Sequence, residues 1–179
     1  MLGPAERGRA AGMHSMARRL DTAKLGDHLD RLYRAAWALT GSREDAEDLI
    51  QDTYARVLAR PRFLHREDDL GYLLRVLRNT FLNTKRRERR RPRTEPMAEG
   101  FEPIEERTST RPDSALETKE VFAAVAALAQ DFRDVVVAVD VMGLSYAEAA
   151  AALRLPQGTV MSRLYRGRQQ IARGLSAAN

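Results

Sequence analysis

The stretch from Ser145 to Arg173 limits what this chain can fold into more than any other. Ser145 followed three residues later by Glu148 is a capping box, in which a hydroxyl and a carboxylate each satisfy a backbone N–H at a helix start. The alanine-rich helix it opens runs to about Leu153. Leu155-Pro156 then breaks the pattern, because proline disfavours helical geometry in the residue before it yet suits the first turn of a new helix. Beyond the break Val160, Leu164, Ile171 and Leu175 recur four and seven residues apart, the apolar face of a longer helix. Off that face lie Thr159, Met161, Ser162, Arg163, Arg166, Arg168, Gln169 and Arg173. From Arg154 to the C-terminus there are five arginines and no acid. A short helix, a turn and a basic helix with an apolar back is how a helix-turn-helix places side chains in a major groove. A helical hairpin with merely solvated arginines would share the pattern, so the rest of the chain has to decide.

The chain has 179 residues, enough for one ordinary domain or two small ones. Strand signals are almost absent, the nearest being Val135-Val136-Val137 inside a helical pattern. The expected fold is therefore all-α: two small helical domains joined by a Pro-rich acidic linker, the C-terminal one carrying the helix-turn-helix. Aromatics make up only 6% of the residues, so the core has to be built on Leu, Val and Ala. The formal net charge of +5 suits a nucleic-acid partner. With no cysteine, disulfides, thiol catalysis, direct thiol sensing and cysteine-ligated zinc are excluded, which fits a reducing cytoplasm. No run of about 18 apolar residues exists, so no membrane insertion is expected.

Residues 1–22 mix Gly, Ala, Arg and Met without apolar periodicity and read as a disordered leader, with Met1, Met13 or Met16 as the start. They lack the apolar core of a secretory signal. The N-terminal helical domain is expected over 23–91. Its first helix, from about Ala23 to Thr40, has the stripe Leu25, Leu29, Leu32, Ala36 and Leu39, and Gly41 stands where a C-terminal cap belongs. Ser42 with Asp45 caps a second helix whose buried face is Ala46, Leu49, Ile50, Thr53 and Val57. Glu44, Asp45, Glu47, Asp48 and Asp52 crowd its start, where acids favour the helix dipole. Such carboxylates could also hold a metal or form a docking surface for a protein, and docking is the better fit, since no histidine is patterned beside them. A loop from Pro61 to Asp69 precedes a third helix, about Leu70 to Arg90, with Leu70, Leu73, Leu77 and Phe81 inward and Arg75, Arg78, Asn79 and Asn83 outward. Lys85 to Arg93 holds seven basic residues and one acid, suited to phosphate contact. The linker, 92–113, contains four prolines and six acids. The C-terminal domain, 114–177, begins with a further capping box, Ser114 and Glu117. It continues through a helix carrying Leu116, Val121, Ala124, Val125 and Leu128, and another from Asp131 to Val141.

An acid-led helix, a basic helix, a Pro-rich linker and a basic helix-turn-helix, in that order, resemble the extracytoplasmic-function class (group 4) of bacterial RNA polymerase sigma factors, of the sigma-70 family. Asp45 to Tyr54 (DAEDLIQDTY) resembles the family's core-polymerase-binding helix. Leu70 to Asn79 (LGYLLRVLRN) resembles the helix that engages the minus-ten promoter element, and Gly143 to Arg168 the helix-turn-helix that reads the minus-thirty-five element. The resemblance implies that Asp48, Leu49, Gln51, Asp52, Tyr54 and Val57 dock on the clamp helices of the largest polymerase subunit. It implies that Phe63, Leu64, His65 and Arg66 hold an unstacked base. Tyr72, Arg75, Arg78 and Asn79 would then contact the melted strand, with Lys85, Arg86 and Arg87 on its phosphates. Thr159, Met161, Ser162, Arg163, Tyr165, Arg166 and Arg168 would face the upstream duplex. It further implies a contact with the flap of the second-largest subunit, an anti-sigma factor as partner, no cofactor and no metal, and a cytoplasmic place of action. A sigma factor needs no catalytic residue, because the polymerase does the chemistry. Three positions depart from the family pattern: Tyr72 replaces a common tryptophan, Met161 a common basic residue, and Arg154 a turn residue that is usually glycine.

Two other readings stand beside it. A stand-alone helix-turn-helix regulator would use the C-terminal half but leaves the acidic helix and the first basic helix without a role. A metal-dependent nuclease would use the Glu44–Asp52 acids but lacks a further ligand group.

Overall fold

The computed structural model describes residues 18–20, 22–59, 63–64, 69–90 and 112–178. Seven α-helices account for most of them: α1 (Leu29–Thr40), α2 (Arg43–Ala59), α3 (Asp69–Arg90), α4 (Pro112–Ala127), α5 (Gln130–Val136), α6 (Tyr146–Leu153) and α7 (Gln157–Ala178). The expected helical architecture is present, with one small addition. Arg18–Arg19 (β1) pairs antiparallel with Phe63–Leu64 (β2), and Leu20 is buried, so the end of the presumed leader is built into the fold.

In the N-terminal half α1, α2 and α3 pack around Leu32, Leu39, Leu73 and Leu77. Each such side chain removed from water contributes about 1.5–3 kcal/mol. The first helix does not start as expected. Thr22–His28 winds as a 3₁₀ helix and only Leu29 onward is α. The tighter winding shifts the phase of the stripe: Leu25 packs inward, whereas Leu29 turns out to solvent. Gly41 ends α1 at φ +80°, the left-handed cap that glycine adopts without a Cβ penalty. The Ser42 hydroxyl accepts from the Asp45 N–H at 3.3 Å, while the acid answering it is Glu44, not Asp45. The buried hydroxyls of Thr53 and Thr80 donate to carbonyls one turn back, at Leu49 and Val76.

In the C-terminal half the helix after the linker begins at Pro112, two residues before Ser114. The side chains of Ser114, Leu116 and Glu117 lie outside the described residues. Its inward residues are Phe122 and Val125, with Leu128 buried just past its end, and Val121 is exposed, one position out of the phase read from the sequence. Helix α5 continues into a π-helical stretch, Val137–Val141, in which the Met142 N–H reaches back to the Val137 carbonyl at 3.0 Å. Asp134, Val135 and Val136 of α5 and Val137 and Ala138 of the π stretch are buried in succession, because α7 packs on α5 and α1 on the π stretch.

The halves are not separate. Helix α1 packs on α4 and the π stretch, and α3 packs on α6. Trp37 of α1 packs obliquely on Phe122 of α4 with centroids 4.6 Å apart, and the Arg43 guanidinium carbon lies 4.6 Å from the indole centroid.

Candidate functional site

The acids of α2 divide by depth. Asp45, Asp48, Gln51 and Asp52 line a cleft of about 330 Å³ against Thr84, Lys85 and Glu88 of α3, and Asp48, Gln51 and Asp52 are exposed. Leu49 is buried to 6% exposure at the floor of that cleft, and Val57, at 1%, packs behind the helix. Tyr54 is half-buried and donates its hydroxyl to the Leu25 carbonyl at 3.1 Å; burial raises its phenol pKa. At the helix start its own backbone N–H, then Ser42, hold the Glu44 carboxyl below the usual range. Among the described residues no group of three or more acids or histidines converges as metal ligands.

On α3, Asn79, Arg86 and Arg87 are exposed and Arg75, Arg78 and Lys85 partly so. Tyr72 is buried at 4% exposure, and the Arg75 guanidinium lies 5.6 Å over its ring. Tyr72, Arg75, Asn79 and Arg87 line a basic cleft of about 530 Å³ with a residue that the sequence did not single out, Arg56 of α2. Its signal was faint: one arginine on the last turn of an otherwise acid-led helix. The backbone of Phe63 and Leu64 is held by β1, while His65 and Arg66 lie outside the described residues.

The helix-turn-helix is α6, a turn at 154–156, and α7. Its capping box is formed in full, with Glu148 accepting from the Ser145 N–H at 2.7 Å and Ser145 Oγ from the Glu148 N–H at 3.3 Å. The Ser145 side chain, then its backbone, hold the Glu148 carboxyl below its ordinary value. Arg154 takes φ +56°, the left-handed cap of α6 for which glycine is suited. Val160 and Leu164 are buried, and Ile171 and Leu175 half-buried. Between them Gly167 lets α7 approach α5, a close contact that the apolar spacing alone did not reveal.

Outward on α7 stand Met161 at 51% exposure, Tyr165 at 65%, Ser162 and Arg166. Thr159 is half-buried at the first turn. Arg163 and Arg168, both expected at the duplex, also make ion pairs: Arg163 to Asp131 at 2.7 Å, and Arg168 to both oxygens of Asp140 at 3.0 and 2.5 Å. A third arginine, Arg78 of α3, donates from Nε to Asp134 at 2.6 Å across the seam between the halves. Asp134 is 5% exposed; burial pushes its carboxyl pKa up, and Arg78 opposes the rise. Of these three acids the sequence reading used only Asp131, as the start of a helix, and assigned none of them a partner.

One half carries an acid-faced helix and an arginine-lined cleft, and the other a helix-turn-helix. Residues 25–91 match the model of sigma-70 region 2, and residues 118–171 that of sigma-70 region 4. The extracytoplasmic-function sigma factor SigE of Mycolicibacterium smegmatis is 40% identical over 148 residues, 80% of this chain and 57% of that protein. Relatives covered more fully are SigC of Mycobacterium tuberculosis, 35% identical over 70% of this chain and 68% of that protein, and EcfG of Rhodopseudomonas palustris, 32% identical over 76% and 75%. The chain belongs to the extracytoplasmic-function RNA polymerase sigma factors. Two solved structures share the fold: CnrH in complex with the cytosolic domain of CnrY (TM-score 0.64, 23% identity, 88% of each chain) and the sigma factor RpoE in complex with the anti-sigma factor NepR from Bartonella quintana (0.63, 24%, 89% of this chain and all of that one). No described helix is long and apolar enough to cross a membrane.

Proposed function

We propose that the chain docks on the RNA polymerase core through the exposed face of α2 and directs promoter-specific initiation. Asp48, Gln51 and Asp52 meet the clamp helices, and the second half meets the flap. The α3 cleft takes the melted minus-ten strand, with Arg56 added to Arg75, Asn79 and Arg87. Met161, Ser162, Tyr165 and Arg166 face the minus-thirty-five duplex, while Arg163 ties α7 to α5 and Arg168 ties it to the π stretch. The factor works in the cytoplasm, brings no metal or cofactor, and contributes no catalytic group. An anti-sigma partner is supported by the NepR complex of the structural neighbour. The observation that carries this reading is the presence of both sigma regions in one chain. A stand-alone regulator would give the region 2 match and the acids of α2 no role.

Gel filtration with purified core polymerase tests it. A one-to-one complex is expected, and Asp48→Lys with Asp52→Lys should weaken it at least about tenfold, since like charge replaces complementary charge at an interface. Both sites are exposed, so the melting temperature should hold. Equal binding by the doubly substituted chain would refute the docking face.

A further inference from the structure

Most of the polar side chains along α7 already have a partner within the fold. Arg163 and Arg168 are tied to Asp131 and Asp140. The Ser162 hydroxyl donates to the Thr159 carbonyl at 3.1 Å, and the Tyr165 hydroxyl accepts from the Gln169 amide at 2.8 Å. Arg166 forms no ion pair among the described residues. Met161 is of another kind, because a thioether donates no hydrogen bond and accepts only weakly. It is nevertheless 51% exposed, and Tyr165, at 65%, stands one turn further on the same side. Both lie in the N-terminal half of α7, the end of a recognition helix that meets base edges. Met161 also stands where the family commonly carries a basic side chain, so its contact is not one that the family pattern supplies.

The major groove offers a single apolar group, the C5-methyl of thymine, among edges that are otherwise donors and acceptors. A methionine laid over an amino group of cytosine or adenine, or over the guanine carbonyl, strips water from a polar atom and returns no hydrogen bond, which costs affinity. Laid over a thymine methyl, it removes apolar surface from water on both sides. We propose that Met161 is a specificity-determining residue that reads a thymine methyl in the minus-thirty-five duplex. Tyr165 extends the apolar strip, and Arg166 supplies the polar contact beside it. One base pair of the upstream motif is thereby fixed as thymine–adenine through a methyl contact. The unbranched, polarisable side chain suits this role, since it can follow the methyl without an exact fit. The inference rests on the reading of α7 as the helix that faces the upstream duplex.

The chain bound to core polymerase is offered promoter duplexes randomised over the upstream motif, and the retained duplexes are sequenced. Each thymine of the enriched motif is then replaced singly by deoxyuridine, which lacks only the methyl. At one position the replacement should weaken binding about fourfold, the effect of returning one methyl-sized group to water. In Met161→Ala the same replacement should make no difference, and Met161→Lys should retain duplexes in which that thymine is no longer fixed. Met161 is exposed, so both variants should fold as the parent does. An enriched motif that is indifferent to deoxyuridine at every thymine would overturn the methyl contact and leave the role of α7 standing. A deoxyuridine effect that persists in Met161→Ala would overturn the assignment to Met161. Retained duplexes with no upstream motif at all would overturn the inference through its premise, the placement of α7 on the duplex.

Discussion

Gly167 fixes how the recognition helix lies, and replacing it with alanine tests that geometry. A Cβ there would stand 2.8 Å from Cγ2 of Val136 and 3.5 Å from Cβ of Phe132. Val136 is 2% exposed and β-branched, so its methyl cannot swing aside without disturbing a packed core. Two effects compete. Alanine in a helix interior gains about 1 kcal/mol over glycine, while forcing a methyl into a filled space costs about 1–3 kcal/mol. The net expectation is a loss of about 1 kcal/mol, or about 2–4 °C in melting temperature for a chain of this size. Urea denaturation of Gly167→Ala, Val136→Ala and the double variant supplies the double-mutant cycle. With the Val136 methyls removed, Gly167→Ala should change sign and stabilise by about 1 kcal/mol, its helix propensity no longer opposed. Duplex binding should weaken in the single Gly167→Ala variant and recover in the double. A stabilising Gly167→Ala in the unaltered background would show that the α5–α7 contact is not as close as described.

Four substitutions elsewhere in the C-terminal half have equally definite expected outcomes. Arg154→Gly should stabilise the protein by about 0.5–1 kcal/mol in thermal melts, since a left-handed residue with a Cβ is strained; a destabilised variant would refute the strain. Ser145→Ala should cost about 1 kcal/mol. Because Glu148 is held below its ordinary value, the unfolded chain takes up the proton first; the cap's contribution is intact above about pH 4.5 and lost as pH falls through the lower folded value. Stability curves of Ser145→Ala should be flatter over that acid range, and an unchanged slope would separate Glu148 from the cap. Arg166→Ala should weaken duplex binding and lower the salt slope by about 1. Arg163→Ala, whose guanidinium already pairs with Asp131, should leave that slope unchanged while lowering the melting temperature.

Periodicity revealed the helical half-faces well wherever one face meets one neighbour, as with Leu73, Leu77 and Phe81 of α3 or Val160 and Leu164 of α7. Phase was lost where the winding changes. The 3₁₀ start turns Leu29 outward, and the continuous burial from Asp134 to Ala138, covered by two neighbouring helices, shows no single face. Capping was legible because it is local: Ser145 and Glu148 need only each other. The partners of Arg78, Arg163 and Arg168 were not, since each carboxylate lies 28 to 56 residues away and is chosen by packing. For the same reason charge alone could not separate arginines that face solvent from those that hold the fold. Leu49 and Val57 show the converse, apolar residues within a docking motif that the core claims first.

Run-off transcription with purified core polymerase on a promoter library, with and without the chain, is the most direct test of its role. The account predicts initiation from a subset of templates sharing two spaced motifs, lost on every template with Asp48→Lys and Asp52→Lys and altered at the upstream motif alone with Arg166→Ala. Core polymerase that gains no promoter selectivity from the chain would contradict it.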